Sequence, residues 1–556
     1  MSWSLIRKRA FTVGGIALIC AFFLWFGTIL PRTTTEVFAS PDETAVSLFA
    51  KAWNETGVFR IPHGLPEVAS GLIGLHPRSM VRQGEWLVPV GFLGMPFLAA
   101  VIDRIHDGWS EFFTAFLVLF SAIPLWFLVR RSFRSRIAWW SVLIYLSFPT
   151  VLLYVNRGFF PNLPVVACTL WGVWLLRKAI EAKRGVWMVV CAGLSGLAIG
   201  LALFIRPIEV IWIAPWVIWF GIDAIRHHEK TRLHWMWVCV TALIIFLGVG
   251  GYGMLLSKQT YPYHSAWNAD PVAGYVLRDR DHAAEDRSEV KEISDSAVSS
   301  RRSISSLLPI GFHPRTMWQN VRVFLFGLFG IWFGMAVFGF VLVQRRYGWR
   351  KISIVSGLMI WTTGVLLLAY GQTSYMDNIN GTATLGNSFL RYLLPLVPLI
   401  AIGCAIVIDR LHDFGGRKGL FLSLTLGCFL VFFGISSAYA RDDESLASTR
   451  RELTRYASIR HQAEWTIPPG SVILSERSDK IFAGLFTSVS PLPDKETVTK
   501  LHQANVPILI FHRIPTKDDE IPESLRDVYP LAQWMMVFRA DREALFYLAP
   551  IPLDPL

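Results

Sequence analysis

Long apolar segments alternate with short charged ones along most of this chain. The first covers about 11–30 and follows a basic leader, Arg7-Lys8-Arg9. Others lie at about 110–130, 137–155, 163–177, 186–205, 207–223, 234–256, 321–343, 352–370, 391–408 and 420–438. Most are long enough, as helix, to cross a hydrocarbon core of about 30 Å. The pattern predicts a mainly α, polytopic membrane protein of about eleven to thirteen transmembrane helices.

The segment at 86–102 is also apolar, but it holds Pro89, Gly91, Gly94 and Pro96, which break helices. It reads as interfacial or re-entrant, packed on protein rather than lipid. The charged connections then alternate in kind. Basic residues fill one set: Arg130-Arg131 with Arg134 and Arg136; Arg177-Lys178 with Lys183-Arg184; Arg226, Lys230 and Arg232; Arg345-Arg346 with Arg350-Lys351; and Arg410 with Arg417-Lys418. With these loops inside, the N-terminus is cytoplasmic. The expected layout is a transmembrane domain over 1–440, with long outer loops at 31–109, 257–320 and 371–390.

From about 441 the long apolar runs stop and charge rises. Helix is expected over 450–465 and from an Asp494 cap to Gln503, and strands over 472–474 and 506–511. A hairpin is expected from 534–538 and 544–548 around Ala540-Asp541-Arg542. Residues 441–556 thus form a small α/β domain, outside the membrane on this topology.

Composition agrees. The chain has 556 residues, 53% hydrophobic and 17% charged, with mean hydropathy +0.43, which excludes an ordinary soluble enzyme. The net charge of +12 comes from loops that orient helices and implies no nucleic-acid partner. The six cysteines all fall in apolar segments, so no disulfide framework or metal spacing is present.

Chemistry concentrates after the first apolar segment, where Asp42 and Glu43 adjoin. The stretch reads Ser40-Pro-Asp-Glu-Thr-Ala-Val-Ser-Leu-Phe-Ala-Lys-Ala-Trp-Asn-Glu-Thr-Gly57. Pro41 and the acids suit a helix start, and Val46, Phe49, Ala50 and Trp53 recur at helical spacing. The expected element is an amphipathic helix on the membrane surface, with its carboxylates at the edge of a cavity.

This arrangement resembles the first extracytoplasmic loop of the GT-C glycosyltransferases, which include protein O-mannosyltransferases and aminoarabinose transferases. Gly71 to Pro96 resembles their second juxtamembrane element. Arg206-Pro207 opens a span as is common in them, and Arg391-Tyr392-Leu-Leu-Pro395-Leu-Val-Pro398 resembles their entry to a late span. The resemblance implies an inverting transferase at the outer membrane face. Its donor would be a polyprenyl-phosphate-linked sugar, and its acceptor a lipid, glycan or protein. Asp42 is then the general base, and Glu43 places the acceptor or shares that role. Arg78, Arg82, Asn162, Arg206, Arg391 and Tyr392 are the implied substrate contacts; arginines suit a phosphate at headgroup depth.

One position departs from the family. Asn156-Arg-Gly-Phe-Phe-Pro-Asn162 stands where members often carry a second acid, and an amide cannot act as a base. No cofactor follows from the sequence, and a divalent metal finds no ligand cluster: His63, His76, His264 and His313 are scattered over outer loops. Plainer roles stay open. Asp42 and Glu43 suit a simple helix start, Arg206 and Arg391 suit interfacial anchors, and Asn54-Glu-Thr and Asn380-Gly-Thr match the glycosylation acceptor pattern. The 278–303 stretch, with Asp279-Arg-Asp281, reads as a polar loop. The competing class is a secondary transporter or lipid flippase. Against it, the sequence has no internal repeat and few charges within spans.

Overall fold

The computed structural model describes residues 3–34, 36–65, 75–83, 85–183, 185–226, 232–261, 312–347, 354–373, 375, 382–514, 529, 532–540 and 543–550. The expectations for Gly71, His264, the 278–303 stretch with Asp279 and Asp281, Asn380, and the turn at Asp541-Arg542 lie outside them. The chain divides into two compact units. A helical unit comprises Met1–Leu30, Phe112–Leu255 and Trp267–Ser448, and a mixed unit comprises Pro31–Glu111, Leu256–Ala266 and Thr449–Leu556.

Six helices among the described residues are long and apolar enough to cross a membrane: Ser110–Ser132, Asn162–Glu181, Gly185–Ile205, His234–Thr260, Leu394–Asp413 and Gly416–Ala440. Two further pairs pass the same test only as bent helices. Shorter apolar helices cover Gly15–Gly27, Pro207–Ile222 and Val355–Tyr370. The chain is a multi-pass integral membrane protein.

The bends correct two of the expected spans. The 137–155 segment is Ser135–Ser147 followed by Pro149–Asn156, turned by 51°. Phe148 is extended (φ −63°, ψ 134°) because the Pro149 ring disfavours the α region in the residue before it. The 321–343 segment is not one helix. A π-helical run, Val321–Leu328, ends at Phe329, and the chain turns by 97° into Gly330–Tyr347. Apolar residues lie on both sides of that turn, so hydropathy alone cannot mark it. The 391–408 segment also starts late. Arg391 and Tyr392 end a separate helix, Ser388–Tyr392, and a 3₁₀ turn at Leu394–Leu396 leads into the span.

The most enclosed span, Leu394–Asp413, packs on helices Ser135–Ser147, Gly330–Tyr347 and Gly416–Ala440. The crossing with Gly330–Tyr347 is close: a Cβ at Gly403 would lie 2.6 Å from Ala336 Cα. Small residues let helix backbones approach in this way. Gly403→Val should therefore destabilise the helical unit, by roughly 1–3 kcal/mol for overpacking or more. A lower melting temperature in detergent than wild type is the expected readout.

In the mixed unit, helix Pro41–Thr56 begins and ends as the sequence indicates, with Gly57 (φ 77°) as its left-handed cap. Its Trp53 packs edge-on to Phe97, at 5.3 Å, and stacks on Phe59. Phe97 belongs to helix Gly94–Asp103, whose ten residues extend only about 15 Å. The 86–102 segment is thus a strand followed by a short helix, not a span. Three strands, β1 (Ile61–Pro62), β2 (Met80–Gln83) and β3 (Trp86–Pro89), form an antiparallel sheet in the order β1-β3-β2. The Asn54 amide donates to Ala100 O and accepts from Arg104 Nε, both at 3.0 Å, so this acceptor pattern marks a packing residue.

The C-terminal part of this unit is a five-stranded sheet of β4 (Val472–Ser475), β5 (Thr487–Val489), β6 (Ile508–Arg513), β7 (Ala532–Ala540) and β8 (Glu543–Pro550), ordered β5-β4-β6-β8-β7. The first three strands in that order run parallel and the hairpin strands antiparallel. Asp494 caps helix Lys495–Gln503 by accepting from Thr497 N at 2.8 Å. Strand β5 and the one-turn helix Asp479–Phe482 were not evident from the sequence. Leu75, from the loop after the first apolar helix, enters the core formed by Val472, Leu474, Val489 and Ile508.

Candidate active site

Two groups of the expected residues come together, one in each unit. In the helical unit, helix Ser388–Tyr392 brings Arg391 and Tyr392 to Arg206. Asn387 caps that helix by accepting from Phe389 N at 3.0 Å. Tyr154 donates its hydroxyl to the carbonyls of Gly386 and Asn387, at 3.1 Å each. Asp442 accepts from Leu385 N at 2.9 Å, and its partial burial raises its carboxyl above the usual range.

Cations and rings then alternate. Arg157 lies over Phe160 at 4.5 Å, and Arg391 lies over the same ring at 5.0 Å. Arg391 also lies 5.2 Å from the Tyr392 ring and donates to its hydroxyl at 3.2 Å. Arg206 sits 5.0 Å from the Tyr392 ring, and Tyr392 stacks on Tyr370 at 4.3 Å, tilted by 9°. Glu209 anchors this end. Its buried carboxylate pairs with Arg206 Nε at 3.4 Å, accepts from Tyr370 OH at 3.1 Å, and accepts from Trp212 Nε1. Among these residues stand three guanidiniums and one carboxylate, so the cluster is cationic. Its aromatic faces hold the guanidiniums in place. Arg157, Phe160, Glu209 and Tyr370 were not singled out as site residues from the sequence. Their signal was the repetition of Arg and aromatic residues at the ends of apolar runs.

Asn162 begins helix Asn162–Glu181 and is buried; its Oδ1 has no hydrogen-bond partner among the described residues. Nearby Asn156 has a structural task instead. Its amide accepts from Leu30 N and donates to Phe26 O and Leu152 O, tying down the end of the first helix.

The mixed unit holds Asp42, Glu43, Arg78 and Arg82. Ser40, extended at φ −128° and ψ 146°, caps the helix and accepts from Asp42 N at 3.2 Å. Asp42 is half-buried, and its Oδ1 accepts from Ser79 Oγ at 2.5 Å. Glu43 turns into the protein and is only 4% exposed. It therefore suits support of the local charge balance better than contact with an acceptor. Ser79 is left-handed (φ 63°), a conformation that costs a non-glycine residue about 1 kcal/mol or more.

Arg78 meets a protein partner. Its N and Nε donate to the two oxygens of Asp479 at 2.7 Å each, and Asp479 is fully buried. Arg78 also donates to the Arg477 carbonyl. Arg78 is thus tied to a buried acid of its own unit. Arg82 lies on β2 opposite Leu87, where burial draws its guanidinium somewhat below its ordinary range.

His63 is buried beside this sheet, donates from Nε2 to Leu75 O, and is pushed down to about 4 by that burial. Between its ordinary 6.5 and that value, the unfolded chain takes up a proton that the folded unit refuses. The neutral form's contribution is whole above about 6.5 and is lost as pH falls toward about 4. His63→Gln should therefore show a smaller drop in melting temperature than wild type between these pH values. Equal drops would remove His63 as the cause.

Among the described residues, no group of three or more His, Cys, Asp or Glu side chains is arranged to hold a metal ion. The helices define the chain as a multi-pass membrane protein. A family model described as dolichyl-phosphate-mannose-protein mannosyltransferase matches residues 89–252. The crystal structure of apo ArnT from Cupriavidus metallidurans superposes with TM-score 0.55 at 10% identity, covering 96% of this chain and 98% of that one. The same protein bound to undecaprenyl phosphate gives 0.54 at 13%, with the same coverage. The Archaeoglobus fulgidus oligosaccharyltransferase in complex with Zn and sulfate gives 0.51 at 12%, covering 97% of this chain and 74% of that one. No curated protein matches the chain. It has the GT-C fold, as the sequence resemblance implied.

Proposed function

We propose that this protein is an inverting glycosyltransferase that moves a sugar from a polyprenyl-phosphate carrier to an acceptor outside the membrane. The observation that carries the reading is the cationic ladder of Arg157, Arg391 and Arg206 on Phe160, Tyr392 and Tyr370. A phosphodiester at headgroup depth needs fixed cations with directional donors, which arginines held on aromatic faces supply. The undecaprenyl phosphate bound to ArnT is a phosphomonoester, the carrier such a donor leaves behind, on the same fold at low sequence identity.

Asp42 takes the proton of the acceptor's attacking group. That group forms its bond to the anomeric carbon while the bond from this carbon to the phosphate oxygen breaks. The electron pair leaves with the polyprenyl phosphate, as added negative charge on its phosphate oxygens. Glu43 supports the ionised site from within the protein. Asn162 adds an amide to the helical unit but no base.

The orientation, with a cytoplasmic N-terminus, draws support from the basic loops. Arg131 and Arg177 share Glu181, and Arg134 and Arg136 pair with Asp409 and Asp413, so residues expected on one side gather there.

The direct test supplies the purified protein with a labelled polyprenyl-phosphate sugar and a membrane extract as acceptor source. Release of free polyprenyl phosphate coupled to labelled product is expected. Solute or lipid flux across liposomes, without transfer, would establish the transporter reading instead.

A further inference from the structure

We infer that Asp479 and Lys480, two consecutive residues near the far end of the chain, are positioning residues for the base at Asp42. The inference rests on the proposed role of Asp42 and extends it to the α/β sheet.

Two chain segments meet at Asp42. One enters its helix through Ala39 and Ser40, and the other is the 75–79 strap that carries Ser79. Helix Asp479–Phe482 grips both. Lys480 Nζ donates to Ala39 O at 2.7 Å, one residue before the cap. Asp479 receives Arg78 through backbone N and Nε, one residue before the hydroxyl that binds Asp42. The grip is stiff for physical reasons. Asp479 has no exposure, so its charge-assisted bonds to Arg78 act in a low dielectric and are costly to break. Lys480 is also held over the Tyr456 ring at 4.8 Å.

Other contacts fix the same geometry. Ser490 N, after β5, donates to His76 O at 3.2 Å, and Leu75 is buried in the sheet core. Gly484 (φ 85°) lies so close to Leu48 of the Asp42 helix that a Cβ would come within 2.6 Å of it. A left-handed Ser79 is a local cost, and the Arg78–Asp479 clamp holds the backbone in place at the next residue. What it achieves is a hydroxyl aimed at Asp42 Oδ1, which orients the carboxylate and stabilises its ionised form. The small sheet is then part of the catalytic apparatus without contributing a reacting group.

The test compares Lys480→Met, Ser79→Gly and Asp479→Asn with Asp42→Asn in the intact protein. Ser79→Gly suits the left-handed backbone and removes the CH2OH side chain that carries the hydroxyl. Lys480→Met and Ser79→Gly should each lower kcat about 10- to 100-fold, with the donor KM within about twofold. In Ser79→Gly the acid limb of the kcat–pH profile should also move to higher pH, because the carboxylate loses a donor. Asp479→Asn should behave likewise if it folds; if it does not, the other two variants decide. Unchanged kcat and pH profile in both, with Asp42→Asn inactive, would overturn the clamp and leave the base standing. Full activity in Asp42→Asn would overturn the base and the clamp with it.

Discussion

Asp42→Asn should abolish sugar transfer and leave the protein folded. Removing a general base costs roughly 10²- to 10⁴-fold in rate. Asparagine has the same shape, and its carbonyl oxygen can accept from Ser79 Oγ as the carboxylate does. The Ser40 cap uses the backbone N–H of this residue, which the substitution keeps. An unchanged melting temperature with a rate down by at least about 10²-fold is therefore the expected pair of results. Normal transfer by this variant would remove Asp42 from the chemistry. Glu43→Gln offers a contrast. Because Glu43 is buried, its loss should lower stability as well as rate.

Arg391→Ala should weaken donor binding, and Arg391→Lys should restore little of it. Hydrogen bonds to charged groups contribute about 1.5–3 kcal/mol, or roughly 10- to 100-fold in affinity. Lysine cannot lie flat on Phe160 and Tyr392 while presenting a fork of donors. Donor titration of the folded variants checks this, and unchanged affinity would return Arg391 to the role of a membrane anchor. Arg206→Ala is a less clean probe, since it also strips a buried Glu209 of its ion-pair partner and should cost stability.

The fold class was legible because spans are written in runs of apolar residues, and the helix at Asp42 because Pro41 and Gly57 mark its two ends. Composition hid the turns inside apolar runs. Phe148-Pro149 carries a proline that could have been read, whereas Phe329-Gly330 has apolar sequence on both sides. Arg391 and Tyr392 stand out in the sequence because they form a compact motif. Their ring partners Phe160 and Tyr370 come from other segments, and no spacing along one segment records such a meeting. The partner of Arg78 was hidden for the same reason. Its charge is exposed as far as the sequence shows, and the acid that neutralises it lies 401 residues away.

That separation has a consequence for how the protein is made. The strap and the Asp42 helix are synthesised early, but the helix that grips them follows nearly the whole membrane region. Until translation has passed Lys480, the early segments lack Asp479 and Lys480 as partners, and Leu75 lacks the core that buries it. The mixed unit is therefore a late product of biogenesis, completed only after most of the helical unit has been made. Shortening the chain at its far end would leave its first loop without a place to fold.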